Sequence, residues 1–166
     1  ATFELLGERQ RWTLVDHDDR LLDAARDSLT RWADTSEVFG EELLLTKGRR
    51  HITIDLRKAD LTTDLDKLLD WRPDFVTASA LFDLVSPQWL EEFIGALSKR
   101  KLPLYTVLTY DGVEEWQPAH ETDAIMLTAF NAHQRRDKGF GASAGPDATD
   151  EMVRRFRKRG YEVETA

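Results

Sequence analysis

The stretch "RWTLVDHDDRLLDAARDSL", residues 11–29, reads as a strand that turns into a helix. Trp12, Leu14 and Val15 form a short apolar run that stops at Asp16-His17-Asp18-Asp19. Beyond it Leu21, Leu22, Ala25, Leu29, Trp32 and Ala33 recur on one helical face. Asp18 is the natural N-cap, because its carboxylate accepts from the unpaired N–H groups of a first turn. Asp19 sits in that turn, where the helix dipole favours an anion. Asp16 lies too early to cap, which leaves it for another task.

The same strand-then-helix alternation continues. "HITIDLRKADL" (residues 51–61) begins as a strand with Ile52, Ile54 and Leu56 alternating, and "TTDLDKLLDWRP" gives a short helix stopped before Pro73. "DFVTASALFDLV" (residues 74–85) holds a third strand centred on Val76. Ser86-Pro87 is an N-cap followed by proline in the first turn, so a helix starts there with Leu90, Phe93, Ile94 and Leu97 inward. "LPLYTVLTYDG" (residues 102–112) is a fourth strand. Residues 37–48 read as irregular or a short helix, with Gly48 in a turn. A last helix over residues 147–160 turns Met152, Val153 and Phe156 inward and is capped by Gly160, and "YEVET" opens a last strand. Strands alternating with helices predict one α/β domain over residues 1–166: a Rossmann-like, mainly parallel sheet with helices on both faces.

Composition narrows the function. Hydrophobic residues make up 41% of the 166, so the chain can bury a core. The net charge of -8 argues against a phosphate backbone or an anionic membrane surface, so no nucleic acid and no membrane are expected as partners, and the long segment after Gly112 favours a dedicated pocket for a small-molecule substrate. Without cysteine there is no thiolate chemistry, disulfide or Cys-based metal site. His51, His120 and His133 lack ligand spacing, so no metal is expected. No apolar run approaches the roughly 20 residues of a membrane helix, and no signal peptide is visible, so a cytoplasmic chain is expected.

In an open α/β sheet, ligands bind beyond the carboxyl ends of the strands. The candidates are therefore Asp16-His17, Asp60-Leu61, residues 79–83 and Tyr110-Asp111. Asp16 is the sharpest, since an acid ending such a strand accepts hydrogen bonds from ribose hydroxyls. Residues 113–145 form a candidate substrate-recognising insertion or lid, with glycines on both sides of Phe140. Within it His133 is the candidate general base, histidine being the side chain that titrates near neutral pH.

"WTLVDHDDRLLDAA", "RKADL", "DFVTASALFDLVSPQWL" and "LYTVLTYDG", in this order, resemble strands two to five of the class I S-adenosylmethionine-dependent methyltransferases. The resemblance implies S-adenosylmethionine as cofactor. It places Asp16 on the adenosine ribose, His17 beside the adenine, Asp60 on the adenine amino group and Leu61 against the ring. Ser79 and Ala80 would flank the methionine part and the route to the acceptor. The family's first strand and its GxGxG loop have no counterpart here, and the family's last strands are also missing. The chain is therefore expected to be a piece of a longer methyltransferase, binding the cofactor weakly or not at all by itself. The open centre of its sheet leaves room for self-association. Two other readings remain open: a nicotinamide-dependent oxidoreductase, which also needs a glycine-rich loop, and a non-catalytic binding or scaffold module.

Overall fold

The computed structural model describes residues 2–165, grouped in two compact units, Ala1–Asp64 and Leu65–Ala166. Each is built around its own sheet.

In the first unit, β1 (Arg9–Asp16) leads into α1 (Asp19–Trp32), and then β2 (Thr35–Phe39), β3 (Glu42–Lys47) and β4 (Arg50–Lys58) follow as a meander. The sheet order is β1-β4-β3-β2, with β1 parallel to β4 and both β2–β3 and β3–β4 antiparallel. Asp18 caps α1 as expected, its side chain accepting from Arg20 N at 2.9 Å. Leu43, Leu45, Ile52 and Ile54 are buried at the centre, with Trp12, Leu14, Leu29, Trp32 and Phe3 packed around them. Phe3 meets Trp12 edge-on at 4.9 Å and Trp32 at 5.4 Å.

This arrangement overturns the expected mainly parallel, Rossmann-like sheet. The reason lies in residues 35–50, of which 37–48 read from sequence as irregular or a short helix. Phe39 pairs with Glu42 and Lys47 with Arg50, so Gly40-Glu41 and Gly48-Arg49 are two-residue loops. Loops that short can only join antiparallel neighbours, because a parallel return needs a crossover of a dozen residues or more. Gly40 and Gly48 supply the positive φ (62° and 58°) such tight turns require.

The second unit starts with α2 (Leu65–Leu69), and then β5 (Val76–Ser79) and β6 (Leu104–Val107) pair in parallel as a sheet of their own. Between them runs α3 (Pro87–Arg100), followed later by α4 (Asp123–Gln134) and α5 (Ala148–Lys158). The inward residues of α3 are those its periodicity names: Leu90, Phe93, Ile94 and Leu97 are all buried. Met152 and Phe156 of α5 are buried as well, whereas Val153 is half-buried. Residues 161–165, expected to open a strand, are irregular. Tyr161 instead turns its ring onto Phe156 and donates its hydroxyl to Leu102 O at 3.0 Å. Among the described residues no helix is long and apolar enough to cross a membrane.

Two local devices of this unit make checkable predictions. Ser86 caps α3, its Oγ accepting from Trp89 N at 3.1 Å with Pro87 in the first turn. Ser86→Ala is expected to cost about 1 kcal/mol, a fall in melting temperature of about 4–8 °C for a domain of this size. A change under about 1 °C would remove the cap's assigned weight.

Glu91 ties α3 to α5, accepting from Arg155 at 2.5 Å and also from Arg159. These two guanidinium groups hold the Glu91 carboxyl below its ordinary value of 4.5, with Arg159 the larger cause. Because the folded value is the lower one, this stabilisation is complete above about pH 4.5 and is lost as pH falls through the depressed range. Glu91→Gln is therefore expected to flatten the acid limb of the stability-versus-pH curve below that point. Equal slopes for the two proteins, in urea titrations at stepped pH, would show that the clamp does not contribute.

Candidate functional site

The parallel pair β1–β4 brings the sharpest sequence candidates together. Asp16 stands opposite Lys58 at the end of the ladder, and Ala59 N donates to Asp16 O at 3.0 Å. Asp60 follows directly, so the carboxylates of Asp16 and Asp60 rise from adjacent strand ends. The two strands run in parallel because α1 and the meander together supply the long return that a parallel pair needs.

Each carboxylate is partly used by its own loop. Asp16 Oδ1 accepts from Asp18 N at 2.9 Å, a turn that fixes how the chain enters α1. The cap of α1 is Asp18, as expected, and this turn is a separate structural task of Asp16. Asp60 Oδ1 accepts from Thr62 N at 2.8 Å and Thr62 Oγ1 at 2.7 Å. Those bonds favour the charged form and hold the Asp60 carboxyl below its ordinary range. Asp18 is likewise lowered, chiefly by the Arg20 side chain, and Lys58 Nζ grips Asp19 at 2.5 Å. The remaining acceptor capacity of Asp16 and Asp60 is on Oδ2, since an ionised carboxylate has about four acceptor positions.

His17 is strongly exposed, with Nδ1 3.4 Å from Asp16 Oδ1. When protonated, it lowers both Asp18 and Asp60 through space, so it belongs to the same cluster. Leu61 follows in the turn, half-buried. The cluster has acceptors on two strand ends, one imidazole beside them, and cations already committed to Asp18 and Asp19. It suits a ligand that donates hydrogen bonds, such as a vicinal diol or an exocyclic amine. Among the described residues no group of three or more His, Asp or Glu is placed to hold a metal ion.

The other sequence candidates belong to the second unit. Ser79 ends β5 and Ala80 follows it, both exposed, with Ala80 N donating to Val107 O at 3.1 Å. Ala80 is left-handed at φ 52°, and Leu108, just past the end of β6, has φ 60°. Non-glycine residues in that region are strained, and strain of this kind gathers at binding loops. His133 lies exposed in the last turn of α4. Close by, Tyr110 donates its hydroxyl to Asn131 Oδ1 at 2.8 Å, and Asn131 Nδ2 donates to Gly112 O at 3.2 Å. Asn131 was not a sequence candidate. Its only signal was its place in "AFNAHQ", two residues before His133.

Residues 135–147, which overlap the end of the expected lid (113–145), form a docked strap. Phe140 stands edge-on to Trp89 at 5.3 Å, and Asp137 Oδ1 gathers Gly139 N at 2.7 Å and Gly141 N at 3.1 Å. Arg135 pairs with Asp147 at 2.5 Å.

Comparison with protein-family models, curated proteins and solved structures gives no match.

Proposed function

We propose that the carboxyl end of β1–β4 holds the adenosine part of S-adenosylmethionine, and that the protein serves methyl transfer to a small molecule. The observation that carries this reading is the placement of Asp16 and Asp60 on adjacent parallel strand ends, each with an Oδ2 to offer. The donor set fits: the ribose presents two hydroxyl donors, for which Asp16 has acceptor positions, and the adenine amino group is a donor for Asp60. His17 lies beside both. S-adenosylmethionine, when bound, supplies an electrophilic methyl group on a sulfonium sulfur. In this reading Asp16, His17, Asp60 and Leu61 of the first unit orient the nucleoside.

Asp16→Asn removes the charge from one hydrogen-bonded pair while keeping its shape. A hydrogen bond to a charged group contributes about 1.5–3 kcal/mol, so affinity for S-adenosylmethionine is expected to fall about 10- to 100-fold. Isothermal titration of the full chain with S-adenosylmethionine, S-adenosylhomocysteine and NAD reads this directly. Binding of NAD without S-adenosylmethionine would turn the assignment toward a nicotinamide oxidoreductase. Equal affinity in wild type and Asp16→Asn would remove Asp16 from the site.

A second reading has an observation of its own. Asp16 Oδ1 and Asp60 Oδ1 are both engaged in fixing local turns, which is what a purely structural strand end needs. A binding or scaffold module without catalysis would keep these bonds and show no nucleoside affinity.

A further inference from the structure

Two buried carboxylates in this protein are treated in opposite ways. Asp55, in the first unit, is buried between two cations, with Arg11 and Arg57 each at 3.2 Å. Asp83, in the second, is only 7% exposed, and its Oδ1 is buried with no hydrogen-bond partner. A buried carboxylate oxygen without a donor is unfavourable, and such atoms call for a specific explanation.

Its position suggests the explanation. Asp83 lies in the turn Phe82–Leu84 that follows β5, three residues after the strained Ala80. The end of the partner strand has the same character: Leu108 is left-handed, and the Oγ1 atoms of Thr106 and Thr109 are buried without partners. Strain and unmet hydrogen-bonding capacity are thus concentrated toward the carboxyl end of a parallel pair, where ligands bind in such sheets.

The strap covers this turn. Ser143 Oγ donates toward Leu84 O at 2.9 Å and Arg136 O at 2.7 Å, and Ala144 N donates to Val85 O at 2.7 Å. The Gly145–Asp147 turn packs on Phe82–Leu84. Gly139, Gly141 and Gly145 all have positive φ (105°, 83° and 56°), so the strap can change path at three points without side-chain strain.

We propose that Asp83 is the counter-charge of a binding site for an ammonium group, closed in this structure by the strap. An ammonium matches the unmet group: it is a cation that carries only N–H donors, one of them for Asp83 Oδ1. A divalent metal fits less well, since it demands six or more oxygen ligands, and no cluster of acidic or histidine side chains stands here among the described residues. The class of ligand is therefore a small organic amine. The inference rests on the second unit alone and is independent of the nucleoside reading.

The test uses the full chain and its thermal unfolding, with n-butylammonium chloride as probe, n-butanol as its neutral counterpart, and sodium, magnesium and calcium chlorides at matched ionic strength. The amine is expected to raise the melting temperature of the wild type in proportion to the logarithm of its concentration above Kd, and the alcohol is not. Asp83→Ala is expected to melt higher than wild type without ligand, because the buried unpartnered oxygen is gone, and both Asp83→Ala and Asp83→Asn are expected to lose the amine response. Lower melting of both variants would make Asp83 a structural residue and overturn the proposal. So would a rise in their melting without an amine response in the wild type, an equal response to n-butanol, or a response to magnesium or calcium alone. Should either variant fail to fold, the amine-against-alcohol comparison in the wild type decides the matter. S-adenosylmethionine is absent throughout, so failure here leaves the nucleoside reading untouched.

Discussion

Phe82→Ala is expected to destabilise the protein by about 3–5 kcal/mol, the usual cost of emptying a filled aromatic position in a core. Phe82 is 0% exposed, and its ring meets Phe93 at 5.4 Å. Phe93 stacks in turn on Trp89 at 5.1 Å, so the three rings share one packed cluster with α3 as its backbone. The turn Phe82–Leu84 cannot collapse into the vacated volume, because the Leu84 and Val85 carbonyls are bonded to Ser143 and Ala144. Urea unfolding of the variant is expected to show a lower midpoint with an unchanged slope. Phe130→Ala makes the control: this ring is 38% exposed against Tyr110 and should cost much less. A Phe82→Ala cost below about 1.5 kcal/mol, on a scale where cores lose 3–5, would mean that the site relaxes and that the cluster is not rigid.

Gly112→Ala is expected to cost about 2–4 kcal/mol, from two separate causes. Gly112 has φ 85°, a conformation that L-residues with a side chain rarely adopt. A Cβ there would also fall 2.7 Å from Pro146 Cβ and 3.3 Å from its Cγ. The proline ring cannot swing away, since it is the middle residue of the turn Gly145–Asp147 that packs on Phe82–Leu84. Relief must come from the Gly112 backbone, which carries the carbonyl that Asn131 holds. The variant should therefore lose the Tyr110–Asn131 bond as well as stability, visible as altered tyrosine fluorescence together with a lower urea midpoint. Gly40→Ala separates the causes: its φ is 62° but nothing lies within 4 Å of the added Cβ. It should show the backbone cost alone, about 1–2 kcal/mol. Equal losses at the two positions would remove the contact with Pro146 from the argument.

Much of the local structure was legible in the residues. Helices announce themselves through caps and a 3.6-residue period, and both signals are local. Asp18 before Leu21-Leu22, and Ser86-Pro87 before Leu90, Phe93 and Ile94, located the starts of α1 and α3 correctly. The β2–β3 hairpin was not legible, because Leu43-Leu44-Leu45 is a continuous apolar run rather than an alternation, and Glu41-Glu42 before it reads as polar loop. Only the pairing of Leu43 with Ile54 and Leu45 with Ile52 makes that run a strand. The two-residue loops at Gly40 and Gly48 held the decisive information on strand direction, and it becomes visible only once both flanking segments are known to be strands.

The candidate site divides along the same line. That Asp16 ends a strand and Asp60 lies just past one followed from the apolar runs before them, and so did their shared end of the sheet once both strands were taken as parallel. The turn from Asp16 Oδ1 to Asp18 N, the grip of Thr62 on Asp60 and the strain at Ala80 depend on backbone angles that no residue type dictates. Asp83 could be read as an acid interrupting "ALFDLV", but its lack of a partner is a property of everything packed round it.

By itself, then, the sequence determined an acidic α/β chain without thiol chemistry, the positions of its main helices, and the acids at or just past the ends of two of its strands. These follow from composition, caps and periodicity, each a matter of neighbours within a few residues. The tertiary structure decided strand direction, the division into two sheets, and which polar groups are satisfied. These depend on pairings between residues far apart in the chain, whose energies no single segment carries.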